Sequence, residues 1–260
     1  MSVQLDALAE EACAAAAAQN RASGESTRKR YGEILRTPAY PDLTFLNAIV
    51  DLVAPSWQVA DLEEAVVDAM PSIGYIRASS RDRQTITALG PRLVDAGYAA
   101  EARVAMVQTF GPEERPSLAR IRPVKDAATW VDFENLIRQD LRDGWTPAMT
   151  AQLIGLYRWR DANLPQRFFL AYEDGRPLGH VGLYQHGTTG LIHALFTDAQ
   201  ARRRGVASAL LHAVRNHATA AGCDRIALHC ARDSELPAFY QRQGFRAVGE
   251  ELIWVRPRAA

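Results

Sequence analysis

Lysine is almost missing from this chain. Lys29 and Lys125 are the only two, so nearly all of its 30 basic residues are arginine. A surplus of either charge is missing as well, because 30 acidic residues balance the basic ones. Proteins that grip a phosphate backbone carry a basic surplus, so nucleic acid is excluded as the main partner. Cysteine is scarce: Cys13, Cys223 and Cys230 are odd in number and lack metal-ligand spacing. No metal is therefore expected, and a reducing, cytoplasmic compartment is the simplest home. No apolar run approaches the roughly 18 residues of a membrane span, so no membrane partner is expected. Residues 1–20 are alanine-rich, but their charges are acidic and a basic leading region is absent, so they read as a helix rather than a signal peptide. Two common phosphate loops, Gly-Lys-Ser/Thr and Gly-x-Gly-x-x-Gly, are absent too.

What is present is an ordinary globular composition. With 260 residues, 48% hydrophobic and 23% charged, the chain is long enough for two small domains or one large one. Its most informative stretch is 191–222. An apolar run at 191–196 predicts a strand and passes into a polar, arginine-rich turn. From Val206 the apolar residues Leu210, Ala213, Val214 and Ala221 recur at helical spacing, and Gly222 closes the helix. A strand that delivers a basic, small-residue turn into a helix N-terminus holds anions, because the first turn has unpaired N–H groups and a partial positive charge.

Arg202-x-x-Gly205-x-Ala207 in that turn resembles the Arg/Gln-x-x-Gly-x-Gly/Ala signature of the GNAT superfamily of acyl-coenzyme A N-acyltransferases. A second stretch, 223–245, is similar to the same family's Asn-x-x-Ala-x-x-Leu-Tyr-x-x-x-Gly-Phe pattern. Phe239, Tyr240, Gly244 and Phe245 fall on its last four defined positions, while Asp233 stands where Asn is usual and Leu236 where Ala is usual. The resemblance implies a GNAT fold, a mixed and mostly antiparallel α/β sheet flanked by helices, over residues 118–260. It implies acetyl-CoA or a related acyl-CoA as co-substrate, with the pyrophosphate wrapped by Arg202, Arg203, Arg204, Gly205, Val206, Ala207 and Ser208. Pantetheine would pair with Leu195, Phe196 and Thr197 and touch Asp233 and Phe239. Tyr240 matches the family's tyrosine beside the coenzyme sulfur, and the predicted element order β, α, α, β, β, β, α, β, α, β, β is the family's from end to end.

Residues 1–115 read as mixed α/β: an apolar segment at 43–53, a helix at 59–70, a strand at 73–78, a helix at 89–97 despite Pro91, and a strand at 103–108. Superposing Gly97-Tyr98 on Gly244-Phe245 aligns 89–98 with 236–245 without a gap, and an apolar strand follows each pair at the same offset. Tyr240 then falls on Leu93, and no Arg-x-x-Gly-x-Ala turn occurs in this half. The first half thus reads as a degenerate GNAT module, with an unrelated α/β lid domain as the other reading. The proline- and charge-rich segment 111–117 is the expected boundary.

Acyl transfer from a thioester to an amine needs a neutral amine, a donor for the developing oxyanion and a proton for the departing thiolate; direct attack needs no nucleophilic side chain. Tyr240 is the expected proton donor, and a backbone N–H at the end of the 191–196 strand the oxyanion donor. For the base, His193 and His229 lie on predicted neighbouring strands, Glu173 sits in a hairpin, and ordered water is the alternative. Asp140, Asp143, Trp145, Tyr157 and Trp159 are expected to line a pocket for a small amine acceptor, with a protein amine as the other acceptor class. A non-catalytic acyl-CoA sensor remains the competing reading, and a homodimer is allowed.

Overall fold

The computed structural model describes residues 2–110, 120–140 and 145–258. The expected boundary at 111–117 and Asp143 lie outside the described residues. The chain opens with α1 (Ser2–Arg21), whose buried residues Leu8, Ala12, Ala15 and Gln19 form one stripe at helical spacing. Then follow β1 (Glu25–Lys29), β2 (Gly32–Arg36), a 3-10 turn at Thr44–Leu46 and β3 (Ala48–Val50), so the apolar segment at 43–53 is mostly turn and loop. The first half continues with α2 (Val59–Ala69), β4 (Tyr75–Ser80), α3 (Arg83–Asp95) and β5 (Ala99–Thr109). Helix α3 starts six residues before its apolar run because Asp82 caps it, accepting from the Thr85 N–H.

The second half runs β6 (Arg120–Pro123), α4 (Ala127–Gln139), α5 (Pro147–Asn163), β7 (Gln166–Glu173), β8 (Arg176–His186) and β9 (Thr189–Thr197). It ends with α6 (Val206–Ala220), β10 (Arg225–Ala231), α7 (Leu236–Arg242) and β11 (Arg246–Pro257). The eleven strands among the described residues join one sheet, in the order β1-β2-β3-β4-β11-β5-β10-β9-β8-β7-β6. Alternate residues of β7 to β10 divide its two faces. Phe169, Val181, Leu183, Ile192 and Ile226 pack under α6, whereas Phe168 and Leu170 pack under α4 and α5. Helix α1 crosses that second face, laying its alanines on Ala105 and Ala227 and, further along, on Tyr184 and Leu191.

The mixed, mostly antiparallel sheet agrees with expectation, with one correction. Two strands were expected after α7, but the chain supplies a single long one, β11, in which Gly249 marks a bulge rather than a turn. The missing place, between β10 and β11, is filled by β5 from the first half, antiparallel to both. In return β11 lies between β4 and β5. The halves therefore exchange strands.

This exchange follows the sequence repeat. Superposing Gly97 on Gly244 places Arg103 on Glu250 and Val104 on Glu251; in the sheet Arg103 faces Glu251 and Val104 faces Glu250. The β5–β11 pairing thus maps onto itself, as a twofold relation requires. The preceding helices end alike: the Tyr98 N–H bonds the Leu93 carbonyl and the Phe245 N–H bonds the Tyr240 carbonyl, with Gly97 and Gly244 left-handed at φ 85° and 89°.

The exchange makes the second half dependent on the first. Val104, Ala105, Met106 and Val107 of β5 are all buried. Each fully buried large aliphatic side chain is worth about 1.5–3 kcal/mol, so their sum approaches a whole domain's stability. Residues 118–260 expressed alone are expected to aggregate through the open edges of β10 and β11. Gel filtration and circular dichroism check this; a monomeric, cooperatively melting fragment would refute it.

Candidate active site

Strands β9 and β10 run parallel, but they pair only at Thr189–Arg225, Gly190–Ile226 and Leu191–Ala227. Beyond Leu191 they separate. The cause lies in β9, where Ala194 takes a left-handed φ of 51° and the register with β8 slips between His180 and Gly182. This bulge bends β9 away and leaves its 192–197 edge without a strand partner. An extended chain bearing amides can pair there, beside Leu195, Phe196 and Thr197. Leu195 packs toward the α6 core, Phe196 stacks on His180 with centroids 5.5 Å apart, and the Thr197 hydroxyl is buried with no partner among the described residues.

The strand leads into the arginine turn. Asp198 accepts from the Gln200 N–H at 2.8 Å and pairs with Arg176 at 3.1 Å, fixing the start of the turn. Arg203 and Gly205 are left-handed at φ 63° and 81°, so a side chain at 205 would be strained. A Cβ on Gly205 would nevertheless meet nothing within 4 Å, so the turn is open to a ligand. Helix α6 has no side-chain cap and no acidic residue in its first turn. The N–H groups of Val206, Ala207 and Ser208 therefore point outward at the positive end of the helix. The arginines part company: Arg204 is tied to Glu173 at 2.5 Å, Arg202 reaches back to the Thr197 carbonyl at 3.4 Å, and Arg203 lies in solvent. This arrangement fits a pyrophosphate.

The matching place in the first half is closed. Helix α2 begins with a reciprocal cap in which Gln58 accepts from N3 and Asp61 accepts from the Gln58 N–H at 2.7 Å. A carboxylate in the first turn and a satisfied cap repel an anion there.

Tyr240 on α7 is buried against Phe239 and Phe245, at 5.1 and 5.6 Å between centroids, and its hydroxyl makes no hydrogen bond to a described residue. Burial first, and Cys230 second, push its pKa up. It stays protonated throughout the physiological range and is a donor, not a base. Asp233 is exposed and paired with Arg232 at 3.0 Å, and the Ser234 hydroxyl accepts the Leu236 N–H at the start of α7.

The base candidates are poorly suited. His193 lies against Tyr157 and Phe168, 5.8 and 5.6 Å away, with its ring directly on Gly182. Burial, then the charge of Arg160, then His180 pull its pKa down to about 3. His229, with Nε2 3.7 Å from the Cys13 sulfur, is pulled to about 4 by burial and by Arg103 and Arg81. Glu173 is occupied by Arg204.

Of the expected acceptor-side residues, Tyr157 is buried and Trp145 packs at the rim of the same core, Asp140 caps the end of α4, and Trp159 faces solvent. Its neighbour Arg160 points inward instead and was missed. The signal was available: Thr150, Ile154, Tyr157 and Arg160 form the buried stripe of α5, and a charge on such a stripe is unusual.

Residues 130–245 match the acetyltransferase (GNAT) family model. The fold agrees over nearly the whole chain with a functionally unknown conserved protein from Staphylococcus epidermidis, at 14% identity and a TM-score of 0.74, covering 91% of this chain and 95% of that one. A GCN5-related N-acetyltransferase from Kribbella flavida gives 15% identity and a TM-score of 0.65, covering 95% and 96%. A tandem GNAT protein from the clavulanic acid biosynthesis pathway gives 12% and 0.54, covering 80% and 74%. No curated protein matches the chain in sequence. Residues 130–245 are thus similar to the GNAT acetyltransferase family, and the fold similarity extends over nearly the whole chain.

The buried histidines make stability pH-dependent. His180 is fully buried and its pKa is pulled to about 3, chiefly by burial, against 6.5 for a free histidine. Between those values the unfolded chain binds a proton that the folded one does not, so stability falls as pH falls, by about 1.4 kcal/mol per unit for one such group. In urea melts from pH 7 to 4, His180→Phe should flatten this slope by one proton's worth. An unchanged slope contradicts the assignment.

Proposed function

We propose that this chain transfers an acetyl or related acyl group from acyl-CoA to the primary amine of a small molecule, at one site per chain. The observation that carries the reading is the uncapped, acid-free N-terminus of α6 opening beside the unpaired edge of β9. Arg202, Arg203 and the N–H groups of Val206, Ala207 and Ser208 receive the pyrophosphate; Leu195, Phe196 and Thr197 present their backbone edge to the pantetheine amides. The thioester supplies the acyl group, and its carbonyl oxygen is stabilised by a backbone N–H at the β9 bulge. Tyr240 donates to the departing thiolate.

Of the candidate bases, His193 and His229 have lowered pKa values and Glu173 is held by Arg204, so none is suited to deprotonate the amine. The aromatic wall around His193 and the positive charge of Arg160 both disfavour an ammonium ion, so the amine arrives neutral and water takes the proton. The first half, with its capped α2 helix, serves as scaffold and binds no second coenzyme.

Gly205→Val should weaken acetyl-CoA binding by about tenfold or more in calorimetric titration, since it forces a β-branched residue into a left-handed position at the phosphate turn. Equal affinity would contradict the phosphate assignment. Tyr240→Phe should retain acetyl-CoA binding and lower kcat by about 10²- to 10⁴-fold in a free-thiol release assay. An unchanged rate removes Tyr240 from the mechanism.

A further inference from the structure

Arg160 carries a buried charge with no counter-charge among the described residues. It is 2% exposed, and its hydrogen bonds all go to neutral acceptors near the end of α1: Nε to the Ser23 hydroxyl at 2.8 Å, and one terminal nitrogen to the Asn20 side chain at 3.0 Å and the Gln19 carbonyl at 3.4 Å. No carboxylate of a described residue pairs with it. Burial lowers its pKa only to about 10, so it remains a cation. Buried charges are ordinarily paired, because an unpaired one forfeits hydration that neutral acceptors replace only in part. The α1 C-terminus offers part of a counter-charge. It leaves the other terminal nitrogen, with two N–H donors, unbonded to any described residue.

Arg160 shares the buried stripe of α5 with Tyr157, whose ring lies 5.8 Å from that of His193. The guanidinium charge is felt at His193, one residue before the β9 bulge, and at the phenols of Tyr157, Tyr184 and Tyr40. The His193 Nε2 is itself buried without a partner. A positive charge, an orphaned neutral imidazole nitrogen and aromatic walls repel a polycation and leave donors unmet.

We propose that the acyl acceptor carries a carboxylate, an amino acid or a close derivative, and that Arg160 binds that carboxylate from beneath His193 while the amine reaches the slot. This rests on the acyltransferase reading above, and its test separates the two. N-acetylated amino acids with small, acidic, basic and aromatic side chains, each beside its C-terminal amide, are titrated into the protein with and without coenzyme A. Free amino acids and amino amides are then compared in the thiol-release assay. At least one free acid should bind, and its parent amino acid turn over, about 10- to 100-fold better than the matched amide, the worth of a hydrogen bond to a charged group. Arg160→Lys keeps the charge but loses the planar fork; it should raise KM for the acid by a similar factor while leaving the amide and acetyl-CoA affinity unchanged. Amides or simple amines matching or exceeding every acid would overturn the proposal, as would an Arg160→Lys defect shared equally by acid and amide. Preferential binding of acids with no binding of acetyl-CoA would support the carboxylate site and sink the acyltransferase reading instead.

Discussion

The antiparallel pairing of β5 with β11 is the interaction on which the rest of the structure depends. Each strand belongs to one half of the sequence and completes the sheet of the other. Strand β10 is thereby held along one edge by β5, from Arg225–Thr109 to Ala231–Arg103, while its other edge pairs with β9 for only three residues. A strand supported on one side alone would drift or close the gap. Supported by β5, and backed by α1 across Ala105, Val107 and Ala227, it forms a fixed wall of the slot. The first half therefore contributes to the candidate site by supporting β10.

The same twofold arrangement explains why one half is chemically open and the other is not. Both halves place a helix after a strand that runs parallel to its neighbour, β9 to β10 and β3 to β4. Only α6 keeps its first-turn N–H groups free, behind a left-handed glycine and three arginines. The corresponding turn of α2 spends its donors on Gln58 and Asp61 and places a negative charge where a phosphate would sit. The two helix starts thus differ in capping and in first-turn charge.

The local elements of the candidate site were more legible in the sequence than the topology. The turn from Arg202 to Ser208 and the pattern ending in Gly244-Phe245 are local, since each residue's role depends on neighbours within a turn of helix. The start of α3 slipped, because Asp82 caps it six residues before the apolar run. Strand exchange leaves no local trace. The alternation in 103–108 shows a strand but not its neighbours, and only the repeat around Gly97 and Gly244 hinted at the symmetry. The bulge at Ala194 was hidden for a related reason, because an alanine held at positive φ by its surroundings looks like any strand residue. His193 was read as a possible base from its position on the strand; burial against Tyr157 of α5 and Phe168 of β7, with the Arg160 charge behind it, lowers its basicity in a way that the strand position alone does not show.

Hydrogen–deuterium exchange with and without acetyl-CoA tests the account most directly. The coenzyme should protect the amides of Val206, Ala207 and Ser208 and those of the β9 edge at 195–197, and leave the start of α2, residues 57–61, unchanged. Protection at 57–61 comparable to that at 206–208, or none at 206–208 with coenzyme bound, would contradict a single site built on the α6 turn.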